Sequence, residues 1–167
     1  MFQIHDTIFY PSGGICVIDD IRVVPFDGMP DRNYYIIHPT ERPQETFFVP
    51  VDSDKIRLRR LIDRAKAEWL MAHLAEIAPI EESNIKLLKE RIAESLACYE
   101  CVEWARVLRT VERHREIRAG RSRRISDTER AWADTARRCL AAELAAVLER
   151  PQAEVEEQID RCIEAAR

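Results

Sequence analysis

The chain has 167 residues, enough for one ordinary domain or two small ones. Apolar residues make up 46% and charged residues 34%, a composition that supplies a hydrophobic core and excludes a disordered chain. The formal net charge of −4 argues against nucleic-acid binding as long as only the total is considered. No run approaches the roughly 18 apolar residues of a membrane span, and the first twenty residues lack the pattern of a signal peptide, so we expect a cytoplasmic protein without membrane contact.

Residues 1–58 predict a domain of short β-strands. Turn clusters at 10–14 and 27–31, rich in Pro, Gly and Asp, separate segments of β-branched and aromatic residues. The segments are 2–10, 15–24, 33–38, 45–51 and a short one near 55–58. Five short strands in under 60 residues favour a small, bent antiparallel sheet or a partly open barrel.

From Asp63 onward the hydrophobic period becomes helical, which predicts an all-α bundle over 59–167 and an α+β fold overall. Helix starts are indicated by Asp63, by Ser83 or Asn84, and by a capping box at Ser126 and Glu129. The five predicted helices span 63 to about 78, a segment after Ser83 or Asn84 that contains Leu88, Ile92 and Leu96, about 100–118, 126 to about 149, and the segment after Pro151. In the first of them Ala65, Trp69, Ala72 and Leu74 are expected to face inward.

The positive charge is concentrated in one segment. Residues 1–56 carry a net charge of −5 and residues 139–167 a net charge of −4, whereas residues 106–124 hold eight Arg against two Glu, a net of +6. Arg favours bidentate contacts with phosphate, and six Arg in the twelve residues 113–124 exceed what a helix end requires. The run predicts phosphate or acidic-partner binding, and a solvated charged loop is the alternative.

Catalytic and metal-binding motifs are sparse. The sequence contains no P-loop, no G-x-G-x-x-G, no H-E-x-x-H and no G-x-S-x-G, and its four histidines show no pairing with a nucleophile. We therefore expect a protein that is not an enzyme and has no cofactor. Cys98 and Cys101 have C-x-x-C spacing, which leaves a metal or redox site as an alternative, although no second close pair completes a zinc site.

The sequence resembles the CarD family of bacterial transcription regulators, whose first domain is shared with the transcription-repair coupling factor. The opening Phe2-x-Ile4-x-Asp6-Thr-Ile-Phe-Tyr10-Pro11-x-x-Gly14 is similar to the start of that domain, and Phe48-Val49-Pro50 with Ile56-Arg-Leu58 is similar to its end. Ile125-Ser-x-x-Glu129-Arg130, Ala136-Arg137 and Leu140-x-x-Glu143-Leu144 resemble the later helical signature. The coupling factor itself is excluded because its ATPase motifs are missing.

The resemblance implies a Tudor-like β domain over 1–58 that binds the β subunit of bacterial RNA polymerase, followed by a helical domain over 59–167 that contacts promoter DNA. Such a protein modulates the stability of the initiation complex through backbone and minor-groove contacts with weak sequence preference. An open edge of the sheet also admits a strand-swapped homodimer.

The implied contact residues fall into two sets. For RNA polymerase they are Arg22, Val24, Phe26, Phe47 and Phe48, an apolar surface where the family tends to be basic; alternation within the strand sends one of the last two inward. For DNA they are Asn84, Ile85, Arg113, Arg115, Arg118, Arg121, Arg123, Arg124, Arg130 and Arg137. The family's minor-groove Trp is missing at the second helix, where Ile85 is the candidate wedge, while Trp104 and Trp132 are expected in the core.

Two binding alternatives remain open from the sequence. One is an adaptor that binds RNA polymerase but does not touch DNA, as the missing Trp suggests. The other is a helical adaptor whose arginine run meets an acidic protein partner.

Overall fold

The structure is a computed structural model that describes residues 1–25, 31–121 and 124–165. The chain divides into two compact units, residues 1–61 (the β unit) and residues 62–167 (the helical unit), and each is described by itself. An antiparallel sheet followed by helices confirms the predicted α+β class. In the described residues, no helix has the length and apolar character that a membrane crossing requires.

The β unit is an antiparallel sheet that, in its described residues, has five strands in the order β4-β3-β2-β1-β5. The strands are β1 (Thr7–Tyr10), β2 (Gly14–Val24), β3 (Arg32–Pro39), β4 (Phe47–Pro50) and β5 (Arg59–Arg60). The turn from β1 to β2 is closed by a bond from Gly13 N to Tyr10 O of 3.0 Å. Gly14 follows with a φ of 74°, a conformation that favours glycine. Of the turn predicted over 27–31, all but Asp31 lies outside the described residues.

One face of the sheet carries a hydrophobic core, and a bulge changes the direction of β2. The register between β2 and β3 shifts between Ile18 and Asp20, which bends the bulged strand. The extra residue, Asp19, accepts a hydrogen bond from His38 Nδ1 at 2.8 Å. The buried core consists of Ile8, Cys16, Ile18, Tyr35, Ile37 and Val49.

Two predicted strand boundaries were wrong. β1 begins at Thr7, not residue 2, because His5 has a φ of 72° and ends the preceding turn. The last strand is Arg59–Arg60 and not the apolar segment near 55–58. Arg59 pairs with Phe9 in the sheet and places its guanidinium 4.8 Å from the centre of that ring. A cation–π contact, and not a pair of β-branched side chains, therefore accompanies this strand pairing.

The helical unit begins where its capping residues predict. Asp63 accepts a hydrogen bond from Lys66 N, Asn84 accepts from the first turn of its helix, and Ser126 forms the predicted capping box. The helices are α1 (Arg64–His73), followed by a 3-10 turn (Leu74–Glu76), α2 (Ile85–Ala97), α3 (Cys101–Ala119), α4 (Asp127–Leu148) and α5 (Gln152–Ala165).

The buried face of α1 differs from the predicted one. Ala67, Leu70 and Met71 are buried together with the following Leu74, whereas Trp69 is 50% exposed and stacks on His73. Apolar residues occur all around this short helix, so two of its faces have apolar residues at helical spacing. Only packing against the rest of the helical unit determines which of the two is buried. Trp104 is buried as expected, and Trp132 is half-buried.

Candidate functional site

The sheet brings Arg22, Val24 and Phe48 to the face opposite the core. Arg22 is opposite Tyr34 and Phe48 is opposite Ile36, and residues two apart in β2 and β3 share a face. The Phe48 side chain is 44% exposed and Arg22 is exposed, with an ion pair to Asp20 of 3.5 Å. Three of the five candidate polymerase contacts therefore form one surface, which we call the Phe48 face.

Phe47 lies on the other side of the sheet. It packs against the buried core, and its ring meets that of Tyr10 edge to face at 5.3 Å. Alternation within β4 thus sends Phe47 inward and Phe48 outward, as the period of two requires. Phe26, the remaining candidate polymerase contact, lies outside the described residues.

Most of the candidate DNA-binding arginines are engaged in ion pairs within the helical unit. An arginine held by a carboxylate presents less free charge to phosphate than the sequence suggests, so the net of +6 overstates the field at this surface. The pairs are Arg113 with Glu81 (2.9 Å), Arg115 with Glu112 (3.0 Å), Arg118 with Glu129 (2.7 Å), Arg130 with Asp127 (3.5 Å), and Arg137 with Asp160 (2.8 Å) and Asp134 (3.1 Å).

Arg121 and Arg124 differ from those five. Both side chains are exposed, and neither forms an ion pair within residues 1–25, 31–121 and 124–165. They lie in the segment between α3 and α4, residues 120–126, which we call the α3–α4 loop. Arg123 belongs to the same segment in the sequence and lies outside the described residues.

A buried carboxylate joins the two ends of this loop. Glu129 is 5% exposed, and its Oε1 accepts from His114 Nδ1 at 2.8 Å. Its Oε2 accepts from Arg118 Nη1 at 2.7 Å, from Ser126 N at 2.8 Å and from Ser126 Oγ at 2.7 Å. Burial raises the pKa of Glu129, but the hydrogen bonds from Ser126 and His114 and the charge of Arg118 outweigh it and lower the pKa to about 2. From the sequence, Glu129 was predicted only as a helix cap, because its partners His114 and Arg118 belong to a different helix.

The start of α2 lies close to the arginine run. Glu81, four residues before Ile85, holds Arg113 at 2.9 Å. Asn84 uses its Oδ1 to cap α2, accepting from Lys86 N at 2.9 Å, so its amide nitrogen is the group that remains for an outside acceptor. Ile85 is 72% exposed, which suits the wedge predicted for it.

Leu87, two residues after Ile85, is a second exposed apolar residue at the start of α2, with 45% of its surface exposed, and it was not among the predicted contacts. Its neighbour Leu88 is buried in the helical unit. Adjacent residues of a helix point about 100° apart, and the narrow buried stripe of α2, formed by Leu88, Ile92 and Ser95, leaves Leu87 outside it. The spacing of Leu88 and Ile92 is the signal that would have identified a second exposed apolar residue here.

Cys98 and Cys101 gain no support as a metal or redox site. Cys98 Sγ donates to Ser95 O at 3.0 Å, and burial raises the pKa of the Cys98 thiol, which disfavours the thiolate that both chemistries need. Cys101 is buried at the start of α3. Within the described part of the chain, no three His, Cys, Asp or Glu side chains gather as metal ligands would.

Comparison with known proteins agrees with the resemblance in the β unit. The sequence model of the CarD-like/TRCF RID domain matches residues 2–62. No curated protein matches the chain. Residues 2–62 are therefore similar to the CarD-like/TRCF RID domain, a module that interacts with RNA polymerase.

Proposed function

We propose that the protein is a non-catalytic transcription regulator that acts in the bacterial cytoplasm. It binds the β subunit of RNA polymerase through the Phe48 face and contacts promoter DNA through the α3–α4 loop and the start of α2. Binding to both changes the stability of the initiation complex. The observation that carries the proposal is the RNA-polymerase-interacting domain at residues 2–62.

The polymerase contact is supported by the position of the Phe48 face. Phe48 belongs to β4, a strand at the edge of the described sheet, and sheet edges are where a partner can add a strand. Aromatic residues, Phe among them, and arginine are enriched in the cores of protein interfaces, and the Phe48 face exposes one of each. The same edge would serve a strand-swapped homodimer, which size-exclusion chromatography with light scattering would detect.

The polymerase contact is tested with the full chain and the isolated β-subunit lobe. Phe48→Ala is expected to weaken binding at least about tenfold, because truncating a buried aromatic anchor typically costs 1–2 kcal/mol or more. Val23→Ala is the matched control, since Val23 is exposed in the neighbouring part of β2 but faces the other side of the sheet. Failure of the unmodified chain to bind the lobe would refute the proposal.

The DNA contact is supported by exposed side chains of two kinds on the helical unit. Arg121 and Arg124 offer guanidinium groups for phosphate, and Ile85 offers an apolar side chain for the minor groove. Because the β unit would tether the protein to polymerase, weak and sequence-independent DNA contacts suffice at the high effective concentration this creates.

The DNA contact is tested by charge reversal at the loop. The double variant Arg121→Glu with Arg124→Glu should lose most duplex binding and keep its affinity for the β-subunit lobe. Arg161→Glu is the control, because Arg161 is equally exposed on α5 and pairs only loosely with Glu157 at 3.5 Å. Unchanged duplex binding in the double variant would show that the loop does not contact DNA.

A second candidate function is an adaptor that binds polymerase without touching DNA. The observation that favours it is the pairing of five candidate arginines with carboxylates of the same unit. Footprinting of a promoter complex with and without the protein separates the two. Added protection at the upstream edge of the melted region supports DNA contact, and an unchanged footprint supports the adaptor.

A further inference from the structure

The arginines of the α3–α4 loop region have two different environments. Arg118 is directed inward to the buried carboxylate of Glu129, and its second hydrogen bond, from Nη1, reaches the main-chain oxygen of Arg124 at 3.4 Å. Arg121 and Arg124 have exposed side chains. Arg118, in the last turn of α3, therefore contacts residues on the α4 side of the segment that carries the exposed arginines.

The contacts of Glu129 span the whole loop. Two of its donors, His114 and Arg118, belong to the last two turns of α3, and the other two, Ser126 N and Ser126 Oγ, belong to the residue that begins α4. Leaving a buried carboxylate with only some of its hydrogen bonds costs free energy, because its remaining charge is neither paired nor hydrated. We therefore expect the four hydrogen bonds to form and break together. One side chain thus joins the end of α3 to the start of α4, on either side of the loop.

Resting on the DNA contact proposed above, we infer that Glu129 is the positioning residue of the α3–α4 loop and that Arg118 is its strut rather than a phosphate contact. Arg121 and Arg124 are then the arginines that the loop presents to the DNA backbone. The arginine run thus contains a structural arginine, Arg118, and two arginines that bind the ligand, Arg121 and Arg124.

A positioning role for Glu129 predicts a change in DNA affinity that is opposite in sign to the change expected from charge alone. Removing a negative charge beside a DNA-binding surface adds one positive charge and ordinarily tightens binding. If Glu129 positions the loop, its neutralisation releases Arg118 and Ser126, and the exposed arginines lose their fixed geometry. Binding should then weaken even though the net charge has become more favourable.

The first test compares Glu129→Gln with Asp127→Asn in the full chain. Both remove one carboxylate from the first turn of α4, but Asp127 is 98% exposed and holds only Arg130 at 3.5 Å. Affinity for a fluorescent 25-base-pair duplex is measured at low salt, with far-UV circular dichroism as the check on folding. We expect Asp127→Asn to bind as tightly as the unmodified chain or tighter, and Glu129→Gln at least fivefold more weakly. Equal or tighter binding by Glu129→Gln overturns the inference.

If Glu129→Gln does not fold, Arg118→Gln and Arg121→Gln test whether Arg118 is a strut or a phosphate contact. Each phosphate contact contributes about 0.9 to the slope of log affinity against log salt. Arg121→Gln should therefore make the slope about 0.9 less steep, whereas Arg118→Gln should lower the affinity and leave the slope unchanged. An equal loss of slope in both variants makes Arg118 a phosphate contact and overturns the inference.

Different results would refute the proposed DNA contact and the positioning role of Glu129. If the unmodified chain shows no salt-dependent binding to the duplex, the proposed DNA contact is refuted and the inference with it. If the unmodified chain binds but Glu129→Gln binds as well or better, the DNA contact stands and only the role of Glu129 is refuted.

Discussion

Phe47 and Phe48 are neighbours in β4, and their side chains point to opposite faces of the sheet. Phe47 meets Tyr10 and the core, while Phe48 is 44% exposed. The two rings therefore have different roles: that of Phe47 contributes to the folding free energy, and that of Phe48 is exposed on the opposite face. The two positions form a natural pair for separating stability from binding.

We predict that Phe47→Ala destabilises the β unit by about 2–3 kcal/mol, somewhat less than a fully buried Phe because Phe47 is only half-buried. Phe48→Ala should change the free energy of unfolding by less than about 1 kcal/mol. Urea denaturation followed by far-UV circular dichroism measures both. A larger loss in Phe48→Ala than in Phe47→Ala would contradict the assignment of the two faces.

The lowered pKa of Glu129 predicts how the stability of the fold depends on pH. Its pKa is lowered from 4.5 to about 2 in the folded chain, so the ionised group stabilises the fold above pH 4.5 and this contribution is lost as the pH falls toward 2. The contribution at neutral pH is about 2–3 kcal/mol. Unfolding free energies measured between pH 6 and pH 2 should fall less steeply in Glu129→Gln than in the unmodified chain. Parallel curves would show that another group causes the acid sensitivity.

At the scale of elements, the turn between β1 and β2 depends on the absence of a side chain. A Cβ at Gly13 would lie 2.8 Å from Cys16 Sγ, 3.0 Å from Tyr10 Cδ1 and 3.2 Å from Phe47 Cε2. Cys16 is completely buried, so its sulfur has little room to move. The close approach, and not only the backbone conformation of the turn, requires glycine here.

Gly13→Ala is therefore expected to destabilise the β unit by about 1–3 kcal/mol through overpacking. Gly120→Ala is the matched substitution, because Gly120 has the backbone of a right-handed helix and its nearest atoms are 3.7 Å and 3.8 Å away. That change should be neutral or stabilising by up to about 1 kcal/mol. Thermal denaturation of the two variants compares them directly, and equal losses would contradict the steric argument.

For the whole molecule, the relevant quantity is the charge that remains after internal pairing. The chain carries 26 basic and 30 acidic residues, and much of its arginine is held by carboxylates of the same unit. The protein should therefore bind DNA with a weak electrostatic component. Polymerase binding, rather than DNA affinity, would bring it to promoters.

We predict that duplex binding by the unmodified chain has a log–log salt slope of about −2 to −3, equivalent to two or three phosphates. Fluorescence anisotropy between 50 and 300 mM salt measures the slope. A slope near −6 would mean that the paired arginines leave their carboxylates to bind phosphate, in conflict with the ion pairs described above.

Several features were predictable because they rest on local chemistry. Asp63, Asn84 and Ser126 cap their helices as expected, since a capping side chain needs only the first turn that follows it. The fold class followed from the change of hydrophobic period near Asp63. The strand at Arg59–Arg60 was missed because its pairing depends on Phe9 and Asp6, about fifty residues earlier.

By itself, the sequence determined the order of strands and helices, the family resemblance of the first domain and the location of the arginine run. Only the tertiary structure decided which side of α1 is buried, and which arginines are held by Glu81, Glu129 and Asp160. The physical reason is the range of the interactions. Caps and periodicity act within a few residues, whereas an ion pair between α3 and a distant carboxylate exists only once the helices have packed.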